Sequence, residues 1–152
     1  MKLRIKYPSL EEEALILDRM VTEREIEVKP VLDPDALGRM RGVIAEMFME
    51  ERLKGYILHL VNTTRHPQRY PRISSMNGFI QYGASPRATI YLARAAKAHA
   101  FLDHRGYVIP DDIKAVGKDV LRHRIILSYE AEADGKNADD VVKMLFDSVE
   151  VP

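Results

Sequence analysis

The chain has 152 residues, 46% hydrophobic and 30% charged, which suits a folded chain of one domain or two small ones and excludes global disorder. It sets 23 basic against 23 acidic side chains and holds no cysteine, so disulfide frameworks, thiolate metal sites and cysteine nucleophiles are excluded. A formal net charge of zero also argues against a dedicated nucleic-acid binder.

Leu3, Ile5 and Tyr7 alternate with Lys2, Arg4 and Lys6, a period of two that predicts a short strand over 1–7 with no hairpin partner beside it. Pro8 ends it. Ser9 and Glu12 form a capping box that opens a helix over 10–22, with Glu11, Glu12 and Glu13 in its first turn. Leu10, Ala14, Leu17 and Val21 make its apolar stripe, with Met20 alongside. A second helix starts at Asp33, with Pro34 at its first position and a stripe of Leu37, Met40, Ile44 and Met47. A third carries Leu53, Tyr56, Ile57, Leu60, Val61 and Thr64 on one face and ends near Arg65.

Residues 66–83, with Pro67, Pro71, Gly78 and Gly83, read as a long loop, and such loops are functional or disordered. Ser85 is placed to cap the next helix and Pro86 suits its first position. That helix is rich in alanine (Ala88, Ala93, Ala95, Ala96, Ala98, Ala100), which permits close approach, so it is expected at the centre of the domain, running to about Asp103 and stopped by Gly106. An extended link, Tyr107 to Ile109, leads to a helix from Pro110 or Asp111 with Ile113, Val116 and Val120 inward. Residues 124–136 fit either a helical extension or a short strand. A last helix follows Asn137, aligning Val141, Leu145 and Val149. The fold class is therefore mostly α, with about six helices.

The zero net charge hides a segregation: residues 1–64 carry −2, residues 65–110 carry +6 and residues 111–152 carry −4. The basic middle suits an anionic partner, or it pairs with its acidic flanks across the fold. No phosphate-binding G-x-x-x-x-G-K-[ST] loop, no H-E-x-x-H and no G-x-S-x-G elbow is present. The five histidines are scattered, and His99 and His104 read as surface residues. The chain is not equipped to run a reaction alone. Arg87, behind a cap and a proline at a helix start, adds charge to free backbone N–H groups and makes a phosphate-binding spot. Its alternative is a structural ion pair with Asp112 or Glu130.

Three stretches carry a family resemblance. Gly83-Ala84-Ser85-Pro86-Arg87-Ala88, Tyr107-Val108-Ile109-Pro110-Asp111-Asp112-Ile113 and Val120-Leu121-Arg122-His123-Arg124 resemble the C-terminal part of MoxR-type AAA+ ATPases. Tyr7-Pro8-Ser9-Leu10-Glu11-Glu12-Glu13 is similar to the family's entry into its helical lid, and Thr64-Arg65 to the end of a lid helix. The resemblance implies a helical AAA+ lid over 9–152, with a core strand and hinge left over at 1–8 and the Walker motifs upstream of residue 1. It implies that Arg87 is the sensor-two arginine reaching the γ-phosphate, a catalytic role, with Gly83 letting the backbone turn tightly before the helix, Ser85 and Pro86 fixing where Arg87 points, and Tyr7 and Pro8 forming the hinge; these six are the implied cofactor-binding residues. ATP and Mg²⁺ would bind the full-length protein and not this chain by itself. The implied partners are the ATPase core, neighbouring subunits of a ring, and proteins with von Willebrand factor A domains, in chaperone-like maturation of partner complexes. With no apolar run near the roughly 18 residues that span a bilayer and no signal peptide, the expected location is the cytoplasm, without a membrane role. The alternative function is a helical protein-interaction or nucleic-acid-binding module using Arg65, Arg69, Arg72, Arg87, Arg94 and Lys97, with Tyr70 and Tyr82 as stacking groups.

Overall fold

The computed structural model describes residues 1–21, 27–70, 73, 76 and 78–152. Among them are seven α-helices: α1 (Leu10–Val21), α2 (Pro34–Glu46), α3 (Glu51–Arg65), α4 (Pro86–Leu102), α5 (Pro110–Leu121), α6 (Tyr129–Ala133) and α7 (Ala138–Ser148). Two short strands, β1 (Ile80–Tyr82) and β2 (Ile126–Leu127), pair antiparallel, Ile80 opposite Leu127 and Tyr82 opposite Ile126. The expected mostly α bundle is therefore present, with one helix more than the sequence predicts. The extra one is α6, where Ser128 accepts from the Ala131 N–H and opens a single turn in the ambiguous 124–136 stretch.

α4 lies at the centre, as its alanines predict. Ala88, Leu92, Ala96 and Ala100 recur every fourth residue and are fully buried, so α2, α3 and α5 pack against it. The predicted inner face of α3 is buried throughout, with Ile57, Leu60 and Val61 no more than 1% exposed. α5 supplies Ile113, Val120 and Leu121, and α7 closes the core with Val141, Val142 and Leu145. Gly117 lets α5 meet α7 closely, because a Cβ there would run into the Phe146 ring. Each large aliphatic side chain so buried contributes about 1.5–3 kcal/mol.

Several expectations are corrected. Residues 1–7 are not paired as a strand within this chain: an extended segment needs a neighbour to complete its ladder, and among the described residues none lies beside it. The segment is instead tied at Lys2, whose N–H donates to the Asp119 carbonyl (2.7 Å) and whose carbonyl accepts from Arg122 Nη1 (2.9 Å). Leu3, Ile5 and Tyr7 stay exposed. α1 has its predicted capping box, Ser9 N–H to Glu12 (2.8 Å) and Glu12 N–H to Ser9 Oγ (3.2 Å), yet it buries none of its residues. Its predicted last residue, Thr22, lies outside the described residues. In α2 the stripe buries only toward its end: Met47 is inside, Leu37 is exposed, and Asp33 caps the Ala36 N–H.

The predicted loop 66–83 contains structure. A 3₁₀ turn at Pro67–Arg69 follows α3, Ile73 and Met76 are buried, and β1 precedes Gly83; Pro71 and Arg72 lie outside the described residues. α4 ends before Gly106. Asp103 is its C-cap, and His104 takes the left-handed conformation (φ 57°) that terminates the helix. Gly106 serves elsewhere: its carbonyl accepts from the Phe48 N–H (3.3 Å), and Phe48 bridges Tyr107 in parallel.

Candidate functional site

The turn that launches α4 is held against the end of α3. A Cβ at Gly83 would lie 2.6 Å from the Thr64 carbonyl carbon and 2.7 Å from the Arg65 backbone nitrogen, so only glycine lets the two chains pass this closely. This close passage, and not the tight turn the sequence suggests, is why the position needs glycine. The buried Ala84 N–H donates to Thr64 Oγ1 (2.9 Å), and the Thr64 hydroxyl donates onward to the Val61 carbonyl (2.7 Å). Arg65 Nε closes the strap by donating to the Ala84 carbonyl (2.6 Å). Thr64 and Arg65 therefore position the turn, a role that the sequence reading gives to Ser85 and Pro86.

Ser85 occupies the N-cap position, but its side chain makes no capping bond; its carbonyl accepts from the Ala88 N–H (2.8 Å). Pro86 fills the first helical position as predicted. Arg87 follows, exposed, at the positive end of a 17-residue helix. Among the described residues its side chain has no ion pair and no hydrogen bond, so the alternative pairing with Asp112 or Glu130 is not formed. One turn along α4, the guanidinium of Arg124 stacks over Tyr91, 4.8 Å from the ring centroid. Tyr7 and Pro8 are not gathered with the 83–87 turn; they lie in the exposed N-terminal segment, whose anchors are Asp119 and Arg122.

The members of the basic island are used separately. Arg65 holds Ala84, Lys97 Nζ donates to the Ala45 carbonyl (2.8 Å), and the Tyr70 hydroxyl meets Asn62 (3.1 Å) and His59 (3.3 Å). Arg72, another member, lies outside the described residues. Outside the island, in the acidic flank, Arg122 is bound by Asp119 and Asp139.

The charge cluster that the sequence reading misses lies at the other end of α4. Asp112 is fully buried at the third position of α5, where it accepts from the Ile109 N–H (2.8 Å). Arg105 grips both of its oxygens, Nη1 at 2.8 Å to Oδ2 with Nη2 on Oδ1, and His99 Nδ1 meets Oδ1 at 2.7 Å. Burial alone would raise the Asp112 pKa, but Arg105, the Ile109 N–H and His99 outweigh it and hold the carboxyl at about 2. An ionised carboxylate only accepts, so His99 must donate through Nδ1. His99 is thus a structural partner, not the surface residue its spacing suggests. His99, Asp103 and Asp112 have the spacing to share a metal ion, but Arg105 also bonds Asp103 (3.1 Å) and supplies the positive charge there. At the far end of α5, burial and then the neighbouring Arg124 push His123 below the usual imidazole range.

Residues 75–145, which contain the 83–87 turn, α4, α5, α6 and most of α7, match the AAA lid domain family. The chain is 36% identical over 152 residues to Chaperone MoxR1 of Mycobacterium tuberculosis, covering 99% of this chain and 40% of that protein. It carries the helical lid of a MoxR-type AAA+ ATPase. The uncharacterized protein YeaC of Bacillus subtilis is 35% identical over 153 residues, with 99% of this chain and 44% of YeaC covered. The crystal structure of a candidate ATPase from Cytophaga hutchinsonii superimposes with a TM-score of 0.92 at 37% identity, over all of this chain and 46% of the other. The lid chain spans less than half the length of these relatives. No helix among the described residues is long and apolar enough to cross a membrane.

Proposed function

We propose that this lid closes over ATP held by an AAA+ nucleotide-binding core and brings Arg87 to the γ-phosphate as the sensor-two arginine. The observation that carries the reading is Arg87 itself: exposed, uncommitted to any carboxylate among the described residues, and fixed at a helix start by the Thr64–Arg65 strap. A guanidinium is always charged and forks onto phosphate oxygens, and the N-terminus of α4 reinforces it with outward N–H donors. ATP with Mg²⁺, when bound, supplies the transferable phosphoryl group and the divalent charge. The lid's own contribution is one positive group, aimed from a rigid helix, that adds to the field on the phosphoryl oxygens.

Closure is a rigid-body motion, and the residues around Tyr7 and Pro8 are its hinge, since the segment is exposed and carries little packing of its own. In the whole protein the lid would relay hydrolysis to neighbouring subunits of a ring. The likeness to a protein named as a chaperone supports a chaperone-like role; that its clients are partner complexes, including those with von Willebrand factor A domains, is the expectation carried by the family resemblance.

The test is Arg87→Ala and Arg87→Lys in a chain that also carries the nucleotide-binding core. Removing a transition-state donor should lower kcat about 100-fold or more, with Lys recovering only part of it. Unchanged hydrolysis per folded molecule in Arg87→Ala would refute the assignment.

A further inference from the structure

The last carbonyls of a helix have no partner within it and must find one elsewhere. At the end of α5 the Lys118 carbonyl accepts from the Arg122 N–H (2.9 Å) and the Leu121 carbonyl from the Arg124 N–H (2.8 Å). The Asp119 carbonyl accepts instead from the N–H of Lys2 (2.7 Å), at the other end of the chain. Arg122 completes the grip. Its Nε is bound to Asp139 (2.8 Å), and its Nη1 donates both to Asp119 (2.6 Å) and to the Lys2 carbonyl (2.9 Å). With its side chain only 15% exposed, the two carboxylates hold the guanidinium in one orientation toward Lys2.

Both backbone groups of Lys2 are therefore taken by the bundle. Beyond residue 2 the segment stands off: Leu3 and Ile5 are exposed, and an open cleft of about 420 Å³ lies between residues 3–5 and Asn137, Ala138 and Asp139 at the start of α7. α1, which follows, buries none of its residues. A turn about Tyr7 and Pro8 cannot move residues 1–2 relative to α5 while the two bonds at Lys2 stand.

We infer that Arg122 is a latch on the chain entering the lid: closed, it ties that chain to the end of α5, and it must open for the lid to swing about Tyr7 and Pro8. Arg122 is thus a positioning residue, in a stretch, Val120–Arg124, that the phosphate contact leaves unused. Because the latch grips backbone atoms, it is indifferent to the side chain at position 2. The inference rests on the reading of the lid as a closing part, but not on Arg87.

The first test is ¹⁵N relaxation on the 152-residue chain. The Lys2 amide should have an order parameter close to the rigid-backbone value of about 0.85, and Arg122→Gln should drop it below about 0.6. Lys2→Ala should leave residue 2 rigid. The second test measures ATP hydrolysis in a chain that also carries the nucleotide-binding core. Lys2→Pro removes the donor N–H but leaves Arg122 on its two aspartates, so it spares the tie between α5 and α7. Arg122→Gln and Lys2→Pro should shift KM for ATP in the same direction by about threefold or more, and the double variant should go no further, since a latch opens only once. Lys2→Ala should match the parent. A mobile residue 2 in the parent overturns the inference. So does a Lys2→Pro chain with the parent's KM, which would leave Arg122 as a structural tie alone. Arg87→Ala in the same chain separates the two proposals: lost hydrolysis there beside unchanged latch variants fails the latch alone, and unchanged hydrolysis beside shifted latch variants fails the sensor assignment alone.

Discussion

Replacing Gly83 with alanine adds one methyl group where the backbone approaching α4 crosses the end of α3. The new Cβ would sit 2.6 Å from the Thr64 carbonyl carbon and 2.7 Å from the Arg65 nitrogen, and both are backbone atoms that cannot rotate away. The 83–84 segment must move outward. Forced overpacking of this kind costs about 1–3 kcal/mol. The shift also stretches the bond from the Ala84 N–H to Thr64 Oγ1, leaving a fully buried donor unpaired at about 1–3 kcal/mol more. The combined loss is about 4 kcal/mol, the middle of a range of about 2–6, or a fall in Tm of about 10 °C for a chain of this size. Gly42→Ala, in the interior of α2 with nothing within 4 Å of the added methyl, is the matched control and should stabilise by about 0.5–1 kcal/mol. Thermal and urea unfolding of the two variants measure both signs. A Gly83→Ala chain as stable as the parent would refute the close-passage argument and return Gly83 to the role of a simple turn residue.

Thr64→Val keeps the side chain's shape but removes the acceptor for the Ala84 N–H, so urea unfolding should show a loss of about 1–3 kcal/mol. Arg87→Ala, at an exposed position without a charge partner among the described residues, should change stability by no more than about 0.5 kcal/mol in the same assay. Asp112 makes the lid acid-sensitive in a defined window. Its carboxyl titrates near 2 when folded against 3.8 unfolded, so the unfolded chain takes up the proton first. The stability it lends is complete above pH 3.8 and is lost as pH falls toward 2, a change of about 2 kcal/mol. Acid titration followed by circular dichroism should show that step, and Asp112→Asn, less stable at neutral pH, should lack it.

Strongly striped helices, two of them opened by proline, are legible in the sequence. α3, α4 and α5 declare themselves through Pro86, Pro110 and faces such as Leu53–Ile57–Leu60, because a proline at the first helical position and helical periodicity are sequence-near properties. Alternation over 1–7 misleads for the complementary reason: a strand needs a neighbour, and alternation reports only which side would face it. β1 and β2 span three and two residues, too short for any period to show, and their pairing joins positions more than forty residues apart. At the candidate site, Pro86 and the exposed Arg87 were readable, whereas the need for glycine at 83 comes from α3, nineteen residues back along the chain. The Asp112–Arg105–His99 cluster was invisible for the same reason. An aspartate in the first turn of a helix is normally read as a dipole partner, and only the packing of α4 on α5 reveals it as buried. The strong affinity of Asp112 for Arg105 is a tertiary fact.

α4 is one uninterrupted rod of 17 residues, about 25 Å long. Arg87 stands at its tip, Ile90 to Lys97 form one wall of a groove between α2 and α4 midway, and His99 clamps its base to Asp112. Close packing on three other helices leaves it little room to flex, so it behaves as a strut: a tilt imposed at one end reappears, scaled by leverage, along its whole length. A phosphate that tugs Arg87 by an ångström would then swing the groove wall by a fraction of that distance without any relay of side-chain rearrangements. The phosphate-facing tip and the buried Asp112 clamp would then share one mechanical part, and shortening that part would uncouple them while leaving each intact.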